Sequence, residues 1–206
     1  MREIHSEQDE AIQAFWRWYR SPKTRQSGLN GSNHESHCHF ITISAVKLYL
    51  ETPGRVEALL KSVFRDDTFI PGDADQIRQH YLRSLAILLV IGKGPMIQHF
   101  AQYDSLQDRC LPHRSCPADF PSSSDPSFFE RFSKEQWQFC AKDLEYNMHR
   151  YAHKEDILPI TNKAEIGEGG NAVIFQFNVH EEYNKLVPHR WEMPVRSSPH
   201  AKASVH

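Results

Sequence analysis

Apolar residues recur at helical spacing through the first three quarters of the chain and at strand spacing near its end. Over residues 3–20, Ile4, Ala11, Ile12, Phe15, Trp18 and Tyr19 return every three to four positions, the mark of an amphipathic helix. Acidic residues stand early in this segment and Arg17 and Arg20 late, which complements the helix dipole, and Ser21-Pro22 ends it. Residues 21–36 are polar and rich in Gly, Ser and Asn, so they read as a loop. Ala45, Val46, Leu48 and Tyr49 form the next apolar stripe. Thr52-Pro53 predicts the start of another helix, with threonine as N-cap and proline at the first helical position. Val56, Leu59, Leu60 and Val63 line one side of that helix, and Pro71-Gly72-Asp73 breaks it off.

Asp73 or Asp75 is placed to cap the following helix, which the pattern carries to about Ile91. It begins amphipathic (Ile77, Tyr81, Leu82) and becomes apolar nearly all round, as the central helix of a bundle does. Gly92-Lys93-Gly94-Pro95 stops it, and Pro95 opens a short helix bearing Met96, Ile97 and Phe100. Residues 108–126 carry four prolines and read as loop, and 127–140 return to helix with Phe128, Phe129, Phe132, Trp137 and Phe139. Core packing is the stronger reading of those aromatics and a partner-binding face the second. From Ile157 the period shortens, and Phe175, Phe177 and Val179 alternate with polar partners, as on a half-buried strand. The fold class is therefore mainly α. A helical bundle over 1–150 is followed by a short β-hairpin within 157–186, and 187–206, without usable period, reads as a loose tail.

Composition narrows the function classes. The chain has 206 residues, 39% apolar and 24% charged, which suits a globular protein of one or two domains. A net charge of −2 argues against a broad electrostatic grip on nucleic acid or an anionic membrane. The longest apolar run, Leu85 to Ile91, is too short to cross a bilayer, and the N-terminus lacks the apolar core of a secretory signal, so an intracellular location is expected. The four cysteines, Cys38, Cys110, Cys116 and Cys140, are sparse and irregular and suit free thiols in a reducing compartment.

One stretch carries recognisable chemistry. Ile166-Gly-Glu-Gly-Gly-Asn-Ala-Val-Ile-Phe175 is close to G-x-G-x-x-G-x-V, the loop that covers ATP in protein kinases. Such a loop needs glycine because a triphosphate lies against backbone amides, where a Cβ would hold it off. The candidate nucleotide-binding set is Ile166, Gly167, Glu168, Gly169, Gly170, Asn171, Ala172 and Ile174, with Ile166 and Ile174 placed to close on an adenine ring. Ala172 stands where the third glycine is expected, and Ile174 replaces valine. The alternative is a plain hairpin turn using glycine for positive φ.

Residues 38–186 resemble the N-terminal part of a family of fungal protein-kinase-like proteins, in which a helical region precedes the kinase small lobe. The resemblance rests on Leu85-Ala-Ile-Leu-Leu-Val-Ile-Gly-Lys-Gly94, Ile97-Gln-His-Phe100, Asp104-Ser-Leu-Gln-Asp-Arg-Cys-Leu-Pro112, Glu135-Gln-Trp-Gln-Phe-Cys140, Ile157-Leu-Pro-Ile160 with the glycine stretch, and Val179-His-Glu-Glu-Tyr-Asn-Lys-Leu186. It implies ATP as ligand and a chain cut short after the second strand of the small lobe. A kinase also needs a strand lysine, an H-R-D-type aspartate, and a D-F-G-type aspartate with an asparagine to hold magnesium. None of these motifs occurs, so the chain alone is expected to be inactive, with magnesium belonging only to a longer form. His189-Arg190-Trp191 fails at the aspartate, Asp119-Phe120-Pro121 precedes the glycine stretch, and Lys185 and Lys202 lack the context of a strand lysine.

The second function class is a non-catalytic helical module that binds a protein partner, with a purely structural hairpin. An open glycine turn favours the first class and a packed one the second. A third possibility, a zinc or copper site, needs His34, His37 and His39 to converge about 2 Å from one point. Glu145, His149 and Glu155 are acid/base types without a defined arrangement.

Overall fold

The computed structural model describes residues 2–31, 37–64, 73–121, 125–145, 152–169 and 172–186. Seven α-helices and seven short strands lie among them, and the protein is mainly helical. The helices are α1 (Arg2–Arg20), α2 (Ile43–Leu50), α3 (Arg55–Val63), α4 (Asp73–His80), α5 (Leu82–Val90), α6 (Ile97–Phe100) and α7 (Phe128–Gln136). The strands are β1 (Gln26–Asn30), β2 (His37–Phe40), β3 (Leu144–Glu145), β4 (Ile157–Leu158), β5 (Ile160–Gly169), β6 (Ala172–Val179) and β7 (Asn184–Lys185). No described helix is long and apolar enough to cross a membrane, and all four cysteines are free.

Helix α5 is the centre of the body. Leu82, Leu85, Ala86, Ile87, Leu88 and Leu89 are all buried, together with Ser84. Each such leucine or isoleucine contributes about 1.5–3 kcal/mol by leaving water. Around it pack Phe15 of α1, Val46 and Leu50 of α2, Val56, Leu59 and Leu60 of α3, Ile97 and Phe100 of α6, and Phe128 and Phe132 of α7. The aromatic stripe of α7 is thus core. Helix α1 is held by rings: Trp18 stacks on Tyr49 at 4.4 Å, and the Arg55 guanidinium lies 4.7 Å from the same Tyr49 ring.

Three local expectations are corrected. The helix expected over 73–91 is two helices, parted at Tyr81, whose φ of −136° leaves the helical range. The cause is tertiary. Tyr81 offers no side-chain cap, and the Asp108 carboxylate accepts from the N–H groups of Arg83 (2.7 Å) and Ser84 (2.9 Å) and from the Ser84 hydroxyl (2.9 Å). A carboxylate from a distant part of the chain thus supplies the acceptor that the first turn lacks. Next, the cap of α3 is Gly54 at φ 76°, not Thr52, whose hydroxyl instead donates to the Leu48 carbonyl. Lastly, the segment 21–36 is not all loop: Gln26–Asn30 is a strand between β2 and β4, antiparallel to both. Gly28 permits this, since a Cβ there would stand 2.8 Å from the Leu158 carbonyl oxygen.

Within the proline-rich segment, His113 is held by Gln136, which is fully buried on α7. Its amide donates to the His113 carbonyl at 2.8 Å and accepts from the His113 N–H at 2.7 Å. The His113 ring is buried beside Phe132, with no hydrogen-bond partner for Nε2 among the described residues. Burial pulls its pKa below the ordinary 6.5. The tail predicted at 187–206 lies outside the described residues.

Two outcomes are expected. Asp108→Ala leaves two helix N–H groups without that acceptor and the Ser84 hydroxyl with only the Leu106 carbonyl at 3.4 Å, and should cost about 2–4 kcal/mol, read as a fall in the urea midpoint at unchanged slope. For His113 the folded chain binds its proton less readily than the unfolded one, so stability is full above pH 6.5 and falls as pH drops below it. His113→Phe should flatten that acid limb in denaturant titrations run at several pH values; an unchanged limb would assign it to other groups.

Candidate functional site

The glycine stretch lies at the free end of the β5–β6 hairpin. The strands pair antiparallel from Ile160↔Val179 to Gly169↔Ala172, which leaves Gly170 and Asn171 between them, outside the described residues. Two irregularities break the register. One falls between Thr161 and Ala164, where Asn162 adopts φ 51°, a left-handed conformation that asparagine tolerates. The other falls between Glu165 and Gly167, so that Ile166 and Gly167 together oppose Ile174.

Both candidate ring-closing residues are in solvent, Ile166 at 61% and Ile174 at 56% exposure. Gly167 is open as well: a Cβ built on it meets nothing within 4 Å. Gly169 and Ala172 form the last backbone pair, and Glu168 pairs with Val173. Ile166, Gly167 and Ile174 are therefore unpacked.

Exposure extends along β6 from Val173 to Asn178 and overturns one expectation. Phe175 and Phe177 are each 42% exposed and Val173 45%, so β6 is not half-buried against the helical body. On this side Lys163 Nζ stands 4.1 Å above the Phe175 ring. An open groove of about 630 Å³ runs between the hairpin and the first sheet, with Leu29, His37, Thr161, Lys163, Glu165 and Phe175 in its walls.

Among the described residues the hairpin is anchored at its two roots. At the entry, β4 pairs with β1, and the preceding Asp156 is 3% exposed. Its carboxylate accepts from Lys142 Nζ (2.9 Å), the His153 N–H (3.0 Å) and Arg114 (3.0 Å). Burial raises this carboxyl, but Lys142, the His153 N–H and Arg114 outweigh it and hold it below the ordinary carboxylate range. At the exit, the Tyr183 hydroxyl accepts from the Ile43 N–H at 3.3 Å, and Glu182 accepts from the Ser44 N–H and hydroxyl, at 3.1 and 2.5 Å. Glu182 thus caps α2 from a distant part of the chain, beside the local cap in which Thr42 accepts from the Ala45 N–H. Tyr183 joins Phe40, Trp137 and Ile157 in a second, smaller core. Sequence reasoning missed these anchors; an aromatic and an acid directly after the second strand were the available signal.

The remaining candidates do not converge on the hairpin. Lys185 sits on β7, paired with β3, and its ammonium donates to the Glu182 carbonyl. Asp119 accepts from the Ser105 hydroxyl at 2.6 Å, and Phe120 is core. Glu145 is exposed on β3, and Glu155 pairs with Lys154 at 3.4 Å. His37 and His39 are exposed on β2 while Phe40 is buried and Cys38 half-buried, and no group of three metal-ligating residues forms among the described residues. His34, His149, His189, Arg190, Trp191 and Lys202 lie outside those residues.

No protein-family model matches this chain, and neither does any curated protein or solved structure.

Proposed function

We propose that the β5–β6 hairpin is the phosphate-covering hairpin of a protein-kinase-type small lobe, carried on a helical body, and that it contacts an adenine nucleotide without catalysing phosphoryl transfer. The observation that carries this reading is the free space at Gly167 beside Ile166 and Ile174. A hairpin stabilised by its own packing would bury such residues. A phosphate-covering loop keeps backbone open for oxygen atoms and apolar side chains free for a ring. The resemblance of residues 38–186 to fungal protein-kinase-like proteins adds to it. The absence of the strand lysine and of the H-R-D and D-F-G motifs from the sequence removes the groups that would align the phosphates and accept the hydroxyl proton. One hairpin supplies one wall of a pocket, so the affinity is weak.

The full chain should bind a fluorescent ATP analogue saturably, with a Kd of about 1 mM, equivalent to about −4 kcal/mol. Added magnesium should leave that affinity unchanged. Gly167→Val fits the open space, so it should fold as the native chain does while weakening binding about tenfold or more. Unsaturable binding, or Gly167→Val binding as well as the native chain, would sink the reading.

A second reading, a non-catalytic interaction module, rests on a different observation: the aromatic exposure along β6.

A further inference from the structure

The large apolar side chains left in solvent are concentrated in one place. Of the six such residues among those described, Ile166, Val173, Ile174, Phe175 and Phe177 belong to the hairpin, and only Leu48 lies elsewhere. The hairpin is a sheet of two strands, and two strands alone are marginal in water. The strands differ in chemistry. β5 carries Lys163, Glu165 and Glu168, whereas β6, Ala-Val-Ile-Phe-Gln-Phe-Asn-Val, has no charge in eight residues. The outer edge of β6 pairs with no strand among the described residues. Natural edge strands are guarded by charge, proline or brevity, and this one has none of those guards.

We infer that β6 is a self-association edge: two copies of this chain join antiparallel through β6, making one four-stranded sheet in the order β5-β6-β6-β5. The occupant is a second copy because the strand is complementary to itself. A two-fold axis through Phe175 sets Phe175 opposite its own copy, Val173 opposite Phe177 and Ile174 opposite Gln176. Every facing pair is neutral, and the aromatic and β-branched residues on the Phe175 side align into one stripe across the axis. A net charge of −2 per chain sets up little repulsion between copies. Ile166 and Gly167 belong to β5, away from the joining edge, whereas Ile174 lies on β6 and is shared by both readings, so association is measured without nucleotide.

The test is sedimentation velocity on the full chain without nucleotide, with cross-linking to fix the register. The native chain should be a reversible dimer. Phe175→Lys places two ammonium groups opposite each other and should weaken the dimer about tenfold or more, with an unchanged circular dichroism spectrum. In a background of Cys110→Ser and Cys116→Ser, which removes the exposed thiols, Phe175→Cys should form an intermolecular disulfide on oxidation. Facing residues of antiparallel strands lie about 4.5–5.5 Å apart at Cα, within disulfide range. Val173→Cys in the same background opposes Phe177 and should not cross-link. A monomer at every concentration, a dimer indifferent to Phe175→Lys, or Val173→Cys cross-linking as well as Phe175→Cys would each overturn the inference. If Phe175→Lys disturbs the spectrum, the two cysteine variants alone decide.

Discussion

Helix α5 has no face that tolerates water, and the rest of the body follows from that. A helix apolar all round must be enclosed on all sides, which a single neighbour cannot do. α2, α7 and the short helix at 97–100 contact α5 and, with α1 and α3, share its core. Enclosure creates a second demand. The first N–H groups of a helix need acceptors, and near a dry core water cannot supply them. Asp108 answers that demand, and the Arg83 guanidinium returns along the same path to the Asp108 and Phe139 carbonyls. The cap ties the loop after 104 to the central helix, so the loop is ordered for the sake of the helix it serves.

The same logic joins the hairpin to the body. Glu182 does for α2 what Asp108 does for α5, supplying an acceptor from far along the chain. Asp156 fixes the entry strand with two cations and a backbone N–H, and the Gly31 N–H binds its carbonyl at 2.8 Å. A buried carboxylate with that many donors keeps its charge because together they outweigh the cost of its burial. Between these two anchors β6 is exposed to solvent from Val173 to Asn178, and β5 shares an open groove with the first sheet. Rigid roots and an unsupported blade are a sound arrangement for presenting a loop or an edge to something else, and a poor one for a hairpin whose only task is to complete a core.

Nucleotide contact and strand pairing draw on different parts of that blade. The glycines and Ile166 concern its tip, the uncharged edge of β6 concerns its flank, and Ile174 stands where the two meet. Phe175 and Phe177 belong to the flank and take no part in the glycine motif, which is why motif reading alone passes over them.

Local pattern sufficed for the helices because amphipathic spacing is a property of neighbours in sequence. Phe15 and Trp18, the stripe from Val56 to Leu60, the apolar run of 85–89 and the ring-bearing face of 128–139 all point inward as their periods require. The pairing of β5 with β6 was legible for the same reason, as two strand-like segments on either side of a glycine stretch. What the sequence could not settle were matters between distant segments. Whether Phe175 is buried depends on what lies under β6, and nothing in residues 172–179 records that. The break at Tyr81 depends on a carboxylate 27 positions away in sequence, and the strand at 26–30 exists because β2 and β4 bring partners to a glycine-containing segment whose own propensity is for loop. Periodicity states which side of an element is apolar; only the tertiary structure decides whether another surface arrives to cover it.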